Sequence, residues 1–454
     1  MVAVCVNNKT NILKNLEDAY ELSPMQQDNL KQYIESQGEG LFHENLLFNF
    51  TGKIDTDIFR KCWERVLDRH SILRTAFFHR GLKKPIQAVH KKTMLPLDIV
   101  DWRDMSREEQ ERTLDSLMEK DQMNDYILEH PPLMRLTLFL TGSDTFSFWW
   151  RFHHMLMDGW AFSVVLGDFL AFYRSYYNRD EEMDIFPCYD YREYISWRKN
   201  RDTAKEEAFW TKYLDGCVYQ RTLVKLKSPE PGSVTTTLRH RRIDYDIIEL
   251  FQPIQNIIKA RELTLNAVFQ GIFMLLMSHY CGEEIDMVTG SMAADRPLSL
   301  ENAHARVGLF VNTLPIRYKI EPEGKFVEWA KGLQSSMMTT FQYSSSSEQD
   351  IKMWCNISKK VDIFHTVLIF ENIPLVKDPF RGMEFRITDD SLESRPNYPL
   401  SVFVWPDENL KLKIVYDQRR YSEESARNVL GNMKKGLERL IENPDISVKE
   451  LMRF

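Results

Sequence analysis

The stretch FSFWWRFHHMLMDGWAFSVVLGDFLAFYRSYY, residues 146–177, carries the decisive pattern of this chain. Its first part, FSFWWRFHHM (146–155), is apolar enough to read as a strand lying inside a sheet. LMRLTLFL (133–140) reads as its hairpin partner, joined through the turn-rich TGSD at 141–144. Phe162, Val165, Leu166, Phe169, Phe172, Tyr173 and Tyr176 then recur at helical spacing, so residues 161–177 form an amphipathic helix whose aromatic stripe is core. His153-His154 and Asp158-Gly159 stand at the junction of strand and helix.

The same alternation extends outward. Residues 1–20 read as a polar lead-in, and Ser23-Pro24 as a helix start, Ser capping and Pro in the first turn. LLFNF (46–50) is strand-like; TDIFRKCWERVLDRH (56–70) is a helix with Ile58, Cys62, Val66 and Leu67 on one face; ILRTAFF (72–78) reads as a strand. The acidic, polar NRDEEMDIFPC (178–188) marks the boundary, dividing the chain into 1–180 and 181–454. Beyond it, helices are expected near 190–217, 247–281, 324–340 and 422–441, and strands near 235–244, 285–291, 309–318, 364–370, 400–405 and 411–416. SSSS at 344–347 reads as a loop. Two α/β blocks of similar grammar suggest pseudo-duplication, although no strict repeat is present.

Composition narrows the function. With 454 residues, 43% of them hydrophobic, the chain has material for large cores, which excludes a disordered or disulfide-stapled scaffold. Lys and Arg total 59 against 66 acids, with no basic run, so electrostatic support for nucleic-acid binding is lacking. Cys5, Cys62, Cys188, Cys217, Cys281 and Cys355 are scattered without a C-x-x-C pair, the pattern of reduced thiols rather than a zinc site. There is no 18-residue apolar stretch and no signal-type start, so the reading is a soluble, cytoplasmic monomer without a membrane partner.

Strand geometry sends the imidazoles of His153 and His154 to opposite faces, so only one can enter a given cavity. A neutral imidazole beside the Gly159 turn, where backbone can approach a substrate closely, can accept a proton from an amine or hydroxyl. Asp158 either orients a ring or pairs with an arginine. No G-x-S-x-G, H-E-x-x-H, G-x-x-x-x-G-K or G-x-G-x-x-G motif occurs. Direct transfer between two bound substrates, without an enzyme nucleophile, metal or nucleotide, is the chemistry this leaves. His70, His79, His304 and His365 read as packing or surface residues.

These residues resemble the condensation domains of nonribosomal peptide synthetases, whose signature is HHxxxDG, along nearly the whole chain. LSPMQQ (22–27), RHSILRTAF (69–77), HHMLMDGW (153–160), YREYISW (191–197) and VGLFVNTLPIR (307–317) are similar to the family's first five motifs. SSSSEQDI (344–351) and SRPNYPL (394–400) match the last two more loosely. The resemblance implies an α/β fold of two chloramphenicol-acetyltransferase-like lobes, a V-shaped pseudo-dimer with a tunnel between them. It implies amide-bond formation in antibiotic or other secondary-metabolite biosynthesis, with donor and acceptor peptidyl carrier proteins presenting phosphopantetheine-tethered substrates and an adenylation domain in the same assembly line. It also implies that the domain itself binds no cofactor or metal. His154 would be the catalytic residue, as base or positioner. His153, Asp158 and Gly159 would shape the site, Asp158 pairing with Arg296, supported by Arg69, Arg74 and Trp197.

Epimerization domains share HHxxxDG but carry a following Ser-Trp-Arg pattern and a Gly-His-Gly-Arg-Glu segment; here Trp160-Ala161-Phe162 follows instead. Heterocyclization domains carry DxxxxD in its place. SPMQQ with HHMLMDGW resembles the subtype taking an L-configured donor. Ala161, where many relatives have Ser, bears on how the following helix is capped. The rival readings are a related acyltransferase using a CoA or fatty-acyl starter thioester, and a catalytically silent docking module, against which retention of His154 argues.

Overall fold

The structure is a computed structural model describing residues 15–36, 39–178, 187–219, 222–230, 239–371, 383–394, 396, 398–406 and 410–454. In chain order its first elements are β1 (Leu16–Glu21), α1 (Pro24–Glu35), β2 (His43–Gly52), α2 (Thr56–Arg69), β3 (Thr75–Phe78), β4 (Ile86–His90) and β5 (Leu97–Asp101). There follow α3 (Arg107–Gln122), β6 (Met134–Leu140), β7 (Thr145–His153), α4 (Gly159–Asn178), α5 (Tyr191–Lys199), α6 (Ala204–Tyr213) and β8 (His240–Asp246). Next come α7 (Phe251–Arg261), α8 (Leu265–Tyr280), β9 (Asp286–Ala294), β10 (Val311–Lys319), α9 (Phe326–Phe341), α10 (Glu348–Trp354) and β11 (Thr366–Phe370). The last are β12 (Phe385–Glu393), β13 (Leu400–Trp405), β14 (Lys411–Asp417), α11 (Glu423–Glu442) and α12 (Val448–Leu451).

Contacts gather the chain into two units. One comprises residues up to Arg201 together with Arg296–Phe310 and Ile373–Arg395; the other comprises Asp202–Asp295, Val311–Asn372 and Pro396–Phe454. This corrects the single break at 180. Tyr191, Tyr194 and Ile195 of α5 are buried in the first unit's core, and β12, far along the chain, supplies an edge strand to its sheet. Most of the acidic stretch taken as the boundary, 179–186, lies outside the described residues, as do 1–14 of the lead-in, 235–238 of the expected strand and residues 395 and 397.

The first unit is built on a five-stranded sheet in the order β12-β2-β7-β6-β5. β6 and β7 form the antiparallel hairpin read from the sequence, with Met134 opposite Phe152 and Leu140 opposite Phe146. α2 and α4 cover one face, where Phe59, Trp63, Phe148, Trp150, Phe162 and Phe169 are buried together. The apolar face of α2 therefore includes Phe59 and Trp63, while Ile58 is only half-buried. α3 covers the other face, with Leu114 and Met118 against Trp102, Phe139 and Trp149. A small sheet, β1-β4-β3, stands beside this frame, so residues 16–20 form a strand rather than a lead-in.

Two other local expectations are refined. Ser71–Arg74 is a 3-10 turn, and only Thr75–Phe78 is strand. The turn lets the Arg74 side chain fold back, donating to the Leu67 and Asp68 carbonyls. The serine run is a loop, as read, but Ser345, Ser346 and Ser347 are buried in it. Ser345 donates to Asp295, Ser346 to Glu206, and Ser347 caps the short helix α10, which the sequence reading omitted.

The second unit holds a six-stranded mixed sheet, β10-β9-β11-β13-β14-β8, with β11 parallel to both β9 and β13. α8, buried along its length by residues such as Phe269, Phe273 and Leu276, packs with α9 and α11 over the sheet. No single described helix is long and apolar enough to cross a membrane.

Candidate active site

The site grows from the end of β7. His153 is its last residue, and its backbone N–H donates to the Leu133 carbonyl (2.9 Å), completing the ladder. His154 follows just past the strand, its N–H held by the Phe42 carbonyl (2.8 Å). Met155, Leu156 and Met157 turn the chain with fully buried side chains, and Gly159 opens α4.

The two rings have different environments and opposite tautomers. His153 is 0% exposed and lies edge-on to Tyr33 with ring centroids 4.5 Å apart. The Met155 N–H donates to its Nδ1 (3.1 Å), so the ring proton sits on Nε2, which has no hydrogen-bond partner among the described residues. Burial pushes the His153 imidazole well below its ordinary pKa, with the nearby His43 and His154 pushing the same way, so it stays neutral. His154 is half-buried. Its Nδ1 lies 2.9 Å from the Met157 carbonyl, which only accepts; Nδ1 therefore carries the proton and the Nε2 lone pair is left to accept one.

Asp158 organises the turn. Its Oδ1 accepts from the Ala161 N–H (2.7 Å), so this carboxylate caps α4 and no side-chain cap is needed at Ala161. The same oxygen accepts from Arg296 Nη2 (3.1 Å), and Oδ2 accepts from the Phe310 N–H (2.8 Å). Arg296 donates from Nη1 to the Ala303 and Arg306 carbonyls and lies over the Phe310 ring at 4.2 Å. The segment 296–310 is thus tied to the turn through both of its ends.

Two further contacts fix that segment. The Asp158 N–H donates to the Gly308 carbonyl (3.2 Å), and Tyr191 Oη donates to the Leu309 carbonyl (2.7 Å). Arg306, fully buried, reaches the Glu301 and Asp190 carbonyls and the Glu193 carboxylate. Trp197 Nε1 donates to Ser299 Oγ (3.1 Å), so it touches the same segment rather than His154.

Of the residues singled out from the sequence, His153, His154, Asp158, Gly159 and Arg296 come together here. Arg69 and Arg74 have other duties: Arg69 Nε pairs with Asp168 (2.7 Å), and Arg74 binds Glu17 and several carbonyls, including that of His90. Gln26 was missed as an individual. Fully buried, it closes the capping box of α1 with Ser23 and donates to the Met155 carbonyl (3.0 Å), beside the two histidines. Its only signal was its place in LSPMQQ.

A family model described as "Condensation domain" matches residues 16–453. A linear gramicidin synthase of Brevibacillus parabrevis is 30% identical over 440 residues, covering 96% of this chain and 8% of that protein. This chain therefore spans under a tenth of the length of such curated relatives. Among solved structures, the condensation domain from Monacolin K polyketide synthase MokA superposes with TM-score 0.79 at 16% identity, covering 96% of this chain and 100% of that one. The first condensation domain of the calcium-dependent antibiotic synthetase also gives 0.79, at 15% identity, over 96% of this chain and 99% of that one. The α/β architecture described above is the one these structures share.

Proposed function

The chain belongs to the condensation-domain family, and from that premise we propose that it forms an amide bond between two carrier-delivered substrates in nonribosomal peptide synthesis. The donor is an acyl or peptidyl group held as a thioester on one phosphopantetheine arm. The acceptor is the amine of an aminoacyl group held on a second arm, and an adenylation domain of the same assembly line loads the carriers. Similarity to a gramicidin synthase supports a peptide product.

In this reading the acceptor nitrogen attacks the thioester carbonyl. The N–C bond forms, the C–S bond breaks, and the amine's proton leaves while the pantetheine sulfur departs as a thiol. The observation that carries the assignment is the His154 tautomer: with Nδ1–H committed to the Met157 carbonyl, Nε2 is the nitrogen that receives or holds that proton. Asp158 and Arg296 do no proton chemistry in this scheme. They hold the turn on which the ring is mounted, and His153 anchors it from the buried side.

The test compares donors and acceptors on phosphopantetheinylated carrier proteins with the same groups on free pantetheine thioesters. Tethering supplies effective concentration that a weak site otherwise lacks, so kcat/KM is expected to be much higher for the carrier-bound pair. Equal values for the two forms point instead to a small-molecule or CoA-using acyltransferase.

A further inference from the structure

A second arrangement of thiol, imidazole and carboxylate lies in the same unit, built from residues that the amide-forming scheme does not use. Cys188, an exposed residue just before α5, places Sγ 3.7 Å from Nδ1 of His70. On its far side, His70 Nε2 lies 2.9 Å from Asp168 Oδ2 on α4. The carboxylate only accepts, so Nε2 carries the ring proton and Nδ1 turns a lone pair toward the sulfur. Arg69 Nε, 2.7 Å from the same carboxylate oxygen, holds Asp168 in place.

The order carboxylate, imidazole, thiol is what general-base activation of a cysteine requires. Three distant stretches of chain build it: the end of α2, the middle of α4 and the approach to α5. The ring is fixed, because His70 is 3% exposed and its backbone N–H donates to the Val66 carbonyl. Although Cys188 as a whole is exposed, its sulfur is tucked in: at rest Sγ–H donates to the Arg69 carbonyl (3.2 Å), and rotation about Cβ–Sγ turns that proton to His70 Nδ1 at 3.7 Å. That burial pushes the Cys188 thiol up, opposed by Arg69 and reinforced by Asp168 and Asp190. The sulfur therefore rests as a thiol and depends on a base to react.

We propose that Cys188 is an acyl-accepting nucleophile, with His70 as its base and Asp168 orienting the ring, that takes acyl groups from thioesters by thiol exchange. Sγ attacks the thioester carbonyl. The bond from Sγ to the acyl carbon forms, the bond from that carbon to the departing sulfur breaks, and the Sγ proton passes through His70 Nδ1 to the departing thiolate. No electrons change hands, and the acyl thioester is the only co-reactant. This site goes beyond the amide-forming reading and does not rest on it.

The experiment incubates the full chain with octanoyl-pantetheine and follows intact mass, with peptide mapping to locate the acyl group. One hydroxylamine-labile acyl group on Cys188 is expected, forming at least about tenfold faster than on Cys217, Cys281 or Cys355. His70→Gln is expected to slow it by about a hundredfold, the usual scale of general-base assistance. Because His70 is also packed, the parent chain alone supplies the second measurement: the rate of acylation at Cys188 relative to the other three thiols of the same molecule. Acylation of Cys188 no faster than of the other three thiols overturns the proposal. The readout is the mass of the chain and not an amide product, so its failure and a failure of the amide-forming reading are separate results.

Discussion

Arg296 Nη2 donates to Asp158 Oδ1 at 3.1 Å, with the two side chains 7% and 1% exposed, so a charge pair is sealed directly beneath the turn that carries His154. Burying either charge alone is costly, and the pair persists because Asp158 also accepts two backbone N–H groups while Arg296 reaches two carbonyls. Asp158→Ala strands the guanidinium and uncaps α4. A loss of about 3–5 kcal/mol in unfolding free energy is expected, together with lower soluble yield and activity. Denaturant titration of the variant checks it. A variant that melts like the parent yet is inactive assigns Asp158 a direct part in the chemistry instead.

Gly308 has no room for a side chain. A Cβ there would stand 2.1 Å from Cδ2 of Tyr191, whose own hydroxyl is bonded to the next carbonyl in the chain. Gly308→Ala must push either the Tyr191 ring or the backbone that meets Asp158. Overpacking of this kind costs about 1–3 kcal/mol, and here the displaced carbonyl is the one that receives the Asp158 N–H. Both the melting temperature and amide formation per folded molecule should fall. Parent-like values for both would mean that the 296–310 segment does not position the turn.

His153 ties stability to pH. Burial holds its folded-state pKa well below the ordinary value, so the unfolded chain binds the proton first. Its contribution is complete above about pH 6.5, the unfolded value, and is lost as pH falls below that toward the folded pKa. His153→Gln should therefore be less stable than the parent at pH 7.5 and show a shallower loss between pH 7 and 5. Melting curves at several pH values measure this, and identical slopes for the two proteins would contradict it.

Much of the frame was legible because its signals are local. The β6–β7 hairpin, the stripe of α4 from Phe162 to Tyr173 and the Ser23-Pro24 start of α1 each follow from spacing or capping within a few residues, although Tyr176, read as the end of that stripe, is exposed. What escaped the sequence is long-range. Nothing near Phe385–Glu393 says that it pairs with His43–Gly52, more than 300 residues earlier by the numbering. The serine run is a loop, as read, but its burial was not legible because its partners, Asp295 and Glu206, are distant in sequence. His70 read only as a packing or surface residue for the same reason, since Asp168 and Cys188 reach it only through the fold. Strand alternation was expected to separate His153 from His154, but His154 lies in the turn past the end of β7, and which ring would be buried depended on Tyr33 and His43, contributed by α1 and β2.

The most direct measurement is single-turnover amide formation by purified His154→Ala, with loaded donor and acceptor carriers and the parent in parallel. The account expects a folded variant, because the lost ring is half-buried and breaks no charge pair. It also expects a rate lower by about 10²–10⁴, with a small residue from substrate proximity alone. A folded His154→Ala chain that forms amide at a near-parent rate would remove His154 from the chemistry and contradict the account.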